Sequence, residues 1–174
     1  MAKDSSAVPL FPPDDLRLAL AEADAALAAA FRQTRLWVTW REFLWQHLVG
    51  DVYPMADLIL DRFARDESLG LVFPNDPQLV DWDGNLEIAT DLARRMGMRL
   101  PLPRFFEFPV GTMFWARPKA LRSLFDLGLQ WEDYPKEPLR YDGTMLHAIE
   151  RLLPLVAQHA GFGFATTYVP GVTW

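Results

Sequence analysis

Two adjacent carboxylates, Glu132 and Asp133, stand between aromatics in the segment Trp131-Glu132-Asp133-Tyr134. A carboxylate held beside a pocket can act as general base on a hydroxyl, and partial desolvation by flanking rings tunes its pKa for that work. Trp131 and Tyr134 also offer flat faces on which a sugar ring can stack. The alternative is a solvated loop whose aromatics anchor it to the core. A second carboxylate pair, Asp81-Trp82-Asp83, spells D-x-D. Two carboxylate oxygens suit a hard divalent cation, Mg²⁺ or Mn²⁺, that neutralises a diphosphate leaving group. Asp83-Gly84 is equally a turn that caps the next helix. Arg117 can reach a phosphate or a carboxylate, and its place at a helix start, unfavourable for the dipole, suggests another job. Asp142 and His147 are five apart and do not share a helix face, so Asp142 reads as a cap. No phosphate-cradling Gly-rich loop, nucleophilic Ser elbow or metal-binding His pair occurs.

The elements that must position these groups are legible from spacing. The apolar run Phe108–Ala116 reads as a strand whose Gly111 marks a bulge or a close approach to a ligand. Arg117-Pro118 switches the chain to a short helix carrying Leu121, Leu124 and Phe125, which Gly128 ends. Pro135 and Pro138 then forbid regular structure after the acidic loop. Upstream, 36–51 carries Trp37, Trp40, Phe43, Leu44 and Leu48 at helical spacing and is closed by Gly50, with His47 a partner for a backbone carbonyl. Met55, Leu58, Ile59 and Phe63 make another helix, and Leu69–Phe73 a buried strand stopped by Pro74. Residues 74–84 are a loop, and Asn85–Met96 is a helix with Leu86, Ile88, Ala89, Leu92 and Met96 inside. Asp142 caps a helix that buries Met145, Ile149, Leu152 and Val156, and Pro154 is expected to kink or end it. Gly161–Val169 is a final strand. The alternation gives an α/β fold with at least three strands.

At 174 residues the chain is long enough for one domain with a real core. Residues 1–13 read as a proline-rich, flexible leader, and 14–33 as an Ala-rich helix with a thin apolar stripe. The domain proper is expected over 36–174. A net charge of −6 argues against a nucleic-acid surface, and the lack of Cys excludes disulfides and thiolate chemistry. With no signal peptide or membrane span in the pattern, the expected location is the cytoplasm, with the inner face of the membrane as a further option. Seven Trp and twelve Phe supply an aromatic core, with some left to line a pocket.

Five segments carry a family resemblance: LGLVFP (69–74), FPVGTMFWARPKAL (108–121), WEDYPKEP (131–138), YDGTMLHAIERLLPLV (141–156) and, more loosely, WREFLWQHLVGD (40–51). In this order they resemble the rhamnan synthesis protein F family of bacterial polysaccharide-assembly proteins, over roughly residues 36–168. The resemblance implies a partial GT-A-like α/β fold, a short mixed sheet flanked by helices, and a glycosyltransferase role in cell-surface glycan synthesis of the rhamnan or lipopolysaccharide type. It implies that Gly111–Met113, Thr112 included, lie at the acceptor side, and that Glu132-Asp133 supply the base of an inverting transfer. Arg117, Asp142 and His147 join them as candidate substrate-binding residues. Because a proline-rich leader and an Ala-rich helix precede the matching segments where a nucleotide-binding βαβ half is expected, the resemblance is to the C-terminal portion of such an enzyme, and the chain is expected to correspond to that portion. The implied partners are a sugar nucleotide and a glycan acceptor, with a second copy or a separate nucleotide-binding chain completing the molecule. A non-catalytic carbohydrate-binding or scaffold protein is the rival reading.

Overall fold

The computed structural model describes residues 36–76, 81–136 and 142–174. The Ala-rich helix expected at 14–33 and the leader before it lie outside the described residues. The chain forms two compact units: one runs through Arg41 and takes in Trp174, the other spans Glu42–Thr173. In the first, the rings of Trp40 and Trp174 meet at 5.9 Å between centroids. The second carries the sheet and the site.

Among the described residues there are five α-helices and three strands. Helix α1 (Leu36–Leu48) ends at Gly50, whose φ of +115° no L side chain adopts readily. Helix α2 (Met55–Arg65) leads into β1 (Leu69–Pro74), and α3 (Leu86–Arg95) follows the loop. Strand β2 is only Trp115–Ala116. A 3₁₀ turn with Pro118 in its first turn runs into the short α4 (Arg122–Phe125). Helix α5 (Met145–His159) and β3 (Gly163–Thr167) complete the unit. The sheet order is β2-β1-β3, antiparallel on the β2 side and parallel on the β3 side, so the α/β class with a short mixed sheet holds.

Strand β1 is buried along its whole length because helices cover both faces. A register shift between Leu69 and Leu71 sets which side chain faces which core. Leu69 and Val72 pack with Ile59 of α2 and Leu48 of α1. Leu71 and Phe73 face the larger core, with Leu92 and Ala93 of α3 and Leu152 and Val156 of α5. Gly70 sits at the shift for a steric reason: a Cβ there would lie 2.5 Å from that of Phe162 and 2.7 Å from that of Ala120.

Four local expectations give way to tertiary structure. The strand expected over Phe108–Ala116 pairs only at Trp115–Ala116, because Gly111 (φ +81°) and Thr112 (φ +55°) turn the chain before it. Asp142 does not cap α5; Thr144 does, accepting the His147 N–H. Pro154 neither ends nor interrupts α5, which continues to His159. Its ring is fully buried, and packing on nearly every side of the helix from Glu150 to Ala157 offsets the hydrogen bond it removes. Leu86, expected inside α3, is instead 47% exposed at its first turn.

Candidate functional site

The acidic segment folds as a single 3₁₀ turn, Trp131–Asp133. Asp133 Oδ2 accepts the Gln130 N–H at 2.7 Å and closes that turn, while Gln130 Nε2 donates to the Gly128 carbonyl. Glu132 is exposed, and Trp131 projects into solvent at 86% exposure. Asp133, Tyr134 and Lys136 form one wall of a cavity of about 370 Å³. Ile88 of α3 and Gly143, Thr144 and Met145 at the start of α5 form the other. The turn thus carries one carboxylate and one phenol ring to the start of α5, whose lining residues stand 9 to 12 positions later in the sequence.

Behind that wall lies a polar network. Thr144 Oγ1 pairs with His147 Nδ1 at 2.8 Å. Asp142 Oδ2 accepts the Gly84 N–H at 2.8 Å, and its Oδ1 accepts a hydrogen bond from Asn85 Nδ2. Asn85 is fully buried and satisfied, since it also donates to the Trp82 carbonyl and accepts from the Gly143 N–H at 3.1 Å. Burial pushes the Asp142 carboxyl upward, but the hydrogen bonds from Asn85 and Gly84 and the Arg151 charge outweigh it and hold the pKa below its ordinary value.

Arg151, 5% exposed, is the hub. Its Nε donates to the Asp81 carbonyl at 2.9 Å and its Nη1 to that of His147. Three carboxylates surround the guanidinium, Asp142 at 3.6 Å and Asp83 and Glu150 at 3.7 Å, and the Phe108 ring lies 5.1 Å from Cζ. A buried cation needs such partners, because desolvation alone costs several kcal/mol, on the order of what one good ion pair returns. Glu150 in turn accepts from Thr112 Oγ1 at 2.9 Å. That bond holds a β-branched residue at positive φ, a conformation that costs roughly 1–3 kcal/mol.

The structure therefore gathers Asp133 and Tyr134 on one side of a cavity and Asp142 and His147 behind its other side. It ties Gly111-Thr112 to the same network through Glu150. Arg117 sits elsewhere: its guanidinium donates to the carbonyls of Leu69, Phe63 and Asp66 and stacks on the Phe63 ring. There it neutralises the carbonyl end of α2, which accounts for its unusual place in the sequence. The D-x-D carboxylates have different partners. Asp81 Oδ1 takes the Trp82 N–H at 2.6 Å, and Asp83 faces Arg151. Among the described residues no three His, Asp or Glu side chains converge as cation ligands. Asn85, Glu150 and Arg151 were not singled out by sequence reasoning. The available signal was a charged pair, Glu150-Arg151, inside a helix otherwise apolar from Ala148 to Ala157.

Among the described residues no helix is long and apolar enough to cross a membrane. Comparison with known proteins finds no matching solved structure. Two curated relatives, the uncharacterized protein WxcX in two strains of Xanthomonas campestris pv. campestris, are each 35% identical over 130 residues. That alignment covers 73% of this chain, and the chain spans only 18% of the length of those relatives. The family described as rhamnan synthesis protein F matches residues 31–162, which take in both walls of the cavity and the Arg151 network. The chain belongs to the rhamnan synthesis protein F family.

Proposed function

We propose that this chain is a glycosyltransferase, or the acceptor-side module of one, in cell-surface polysaccharide synthesis of the rhamnan or lipopolysaccharide type. The family supports the role in rhamnan and polysaccharide synthesis. The observation that carries the catalytic reading is the cavity in which Asp133 and Tyr134 face Gly143 and Thr144. In an inverting transfer the Asp133 carboxylate, with Glu132 beside it, takes the proton of an acceptor hydroxyl. That oxygen attacks the anomeric carbon of the sugar nucleotide, and the nucleoside diphosphate leaves with the bonding electrons. Tyr134, and Trp131 from its exposed position, offer stacking faces to the acceptor. Arg151, Asp142 and Glu150 act as positioning residues that fix the α5 wall. A divalent cation held by Asp81 and Asp83 would neutralise the leaving diphosphate, with one Asp81 oxygen taking the Trp82 N–H and Asp83 facing Arg151.

The reading carries a GT-A-like architecture, a cytoplasmic site and further partners with it. A second copy or a nucleotide-binding chain is in keeping with the exposed apolar side chains of Val52, Leu58 and Leu60. Calorimetry with a panel of nucleotide sugars, with and without Mg²⁺ or Mn²⁺, tests it: donor heat followed by product in the presence of an oligosaccharide is expected. One observation favours a non-catalytic carbohydrate-binding role, namely that Asp133 is occupied closing its own turn. Saccharide binding with no donor heat would establish that second reading.

A further inference from the structure

A second cavity, of about 730 Å³, opens on another part of the same unit and shares no lining residue with the first. Its volume falls within the roughly 300–1,000 Å³ of small-ligand sites. One wall is the loop Pro103–Glu107, the other Pro154, Leu155 and Gln158 of α5 with Phe164 of β3. The loop is anchored from behind. Trp82 Nε1 donates to the Pro103 carbonyl at 2.8 Å, and the Trp82 ring packs on Phe106 at 4.2 Å between centroids. With Phe106 held inward, Phe105 is turned out to 87% exposure, and the Arg104 guanidinium stands 5.6 Å from its ring. A large aromatic left in water on a pinned loop, with a planar cation on it, is a preformed platform.

The lining decides what such a platform can take. Phe105, Phe106, Phe164 and Leu155 supply apolar faces, while Arg104, Glu107, Gln158 and Asp81 place charged and amide groups among them. A lipid chain would desolvate those four polar groups while offering none of them a hydrogen bond. A nucleotide or other polyanion would meet two carboxylates against one guanidinium. A neutral saccharide satisfies both halves, because its C–H faces pack on aromatic rings while its hydroxyls bond to carboxylate, amide and guanidinium. We infer that the cavity between Pro103–Glu107 and the C-terminal half of α5 is a second saccharide-binding site, which takes a short neutral oligosaccharide with Phe105 as its stacking platform. Its ligand class deepens the proposed role in polysaccharide synthesis, and the site would grip the glycan away from the Asp133 cavity.

The test is a ¹H–¹⁵N chemical-shift titration of the full chain with a rhamnose trisaccharide. Saturable shifts at Phe105, Leu155, Gln158 and Phe164 are expected, with affinity falling by about tenfold in Phe105→Ala. Because Phe105 is exposed, that variant should keep the wild-type fold, which its own spectrum reports. Glu107→Gln, which keeps the shape and one acceptor, should weaken binding less. Shifts confined to Tyr134, Gly143 and Thr144, or an affinity indifferent to Phe105→Ala, would overturn the second site and leave the transferase reading standing. Phe105-dependent binding without transfer from any donor would do the reverse. Absence of trisaccharide shifts anywhere also overturns the site.

Discussion

Asn85 donates its side-chain amide to Asp142 across 57 residues of sequence, and this bond joins the loop before α3 to the loop before α5. Both loops come together so closely that a Cβ on Gly84 would lie 3.1 Å from Asp142 Oδ2 and 3.3 Å from the Gly143 Cα. The same carboxylate faces Arg151, so one side chain ties the backbone of one loop to the charge buried under the other. The α5 wall of the Asp133 cavity is therefore held from behind by groups that need never touch a substrate.

Asp142→Ala should accordingly destabilise the chain by about 2–4 kcal/mol, since it strands the Asn85 amide and the Gly84 N–H and removes a partner of a buried guanidinium. Urea denaturation measures this, and a double-mutant cycle with Asn85→Ala should give a coupling of about 1–2 kcal/mol. Linkage adds a sign. The folded pKa of Asp142 is held below its ordinary 3.8, so its contribution is present above that value and is lost as pH falls through the folded pKa.

His47 should make stability fall in a higher pH window. Its Nδ1 pairs with the Phe43 carbonyl at 2.8 Å and its Nε2 accepts the Val169 N–H at 3.1 Å, which fixes a neutral ring with the proton on Nδ1. Burial lowers its pKa from the ordinary 6.5, against the opposing pull of the Phe43 bond. The unfolded chain therefore binds more protons below that pH, and stability present above it declines as pH drops toward the folded value. The urea midpoint should be lower at pH 5.5 than at pH 7.5, both chosen at about one unit either side of the free imidazole. His47→Leu should flatten that difference; an unchanged slope would assign it to other groups.

Gly70→Ala should cost about 1–3 kcal/mol or more, because its new methyl meets Phe162 and Ala120 inside van der Waals contact at the β1 register shift. Thermal unfolding reads the loss. Pairing it with Ala120→Gly should restore part of the midpoint if the clash rather than strand propensity is the cause.

The sequence made the frame legible where local chemistry decides it. The spacing of Ile59 and Phe63, of Leu92 and Met96, and of Leu152 and Val156 located three helices, and Leu69–Phe73 announced a buried strand. It misled where a local signal competed with a distant partner. Asp142 has the chemistry of a helix cap, yet Asn85 and Gly84 claim its oxygens and leave the cap to Thr144. Phe108–Ala116 has strand composition, yet Glu150 holds Thr112 in a turn. Arg151 and Asn85 were illegible for the same reason, since a polar residue on a helix reads as surface until tertiary structure buries it. Glu132-Asp133 was singled out by type and neighbours, and the cavity that gives Asp133 a face could only come from the fold.

Asp133→Asn separates chemistry from architecture. Asn keeps one carbonyl oxygen to accept the Gln130 N–H, and the residue is exposed, so stability should stay within about 0.5 kcal/mol of wild type. It cannot take a proton from an acceptor hydroxyl, so transfer to an oligosaccharide should fall by at least about 10²-fold, the lower range for a lost general base. Steady-state assays should show that loss in kcat with little change in the acceptor KM, since the amide preserves the shape of the cavity wall. Tyr134→Ala should show the opposite split, raising KM through the lost stacking face. A fully active Asp133→Asn with an inactive Glu132→Gln would transfer the base to the neighbouring carboxylate. Full activity in both would leave the acidic turn a structural cap.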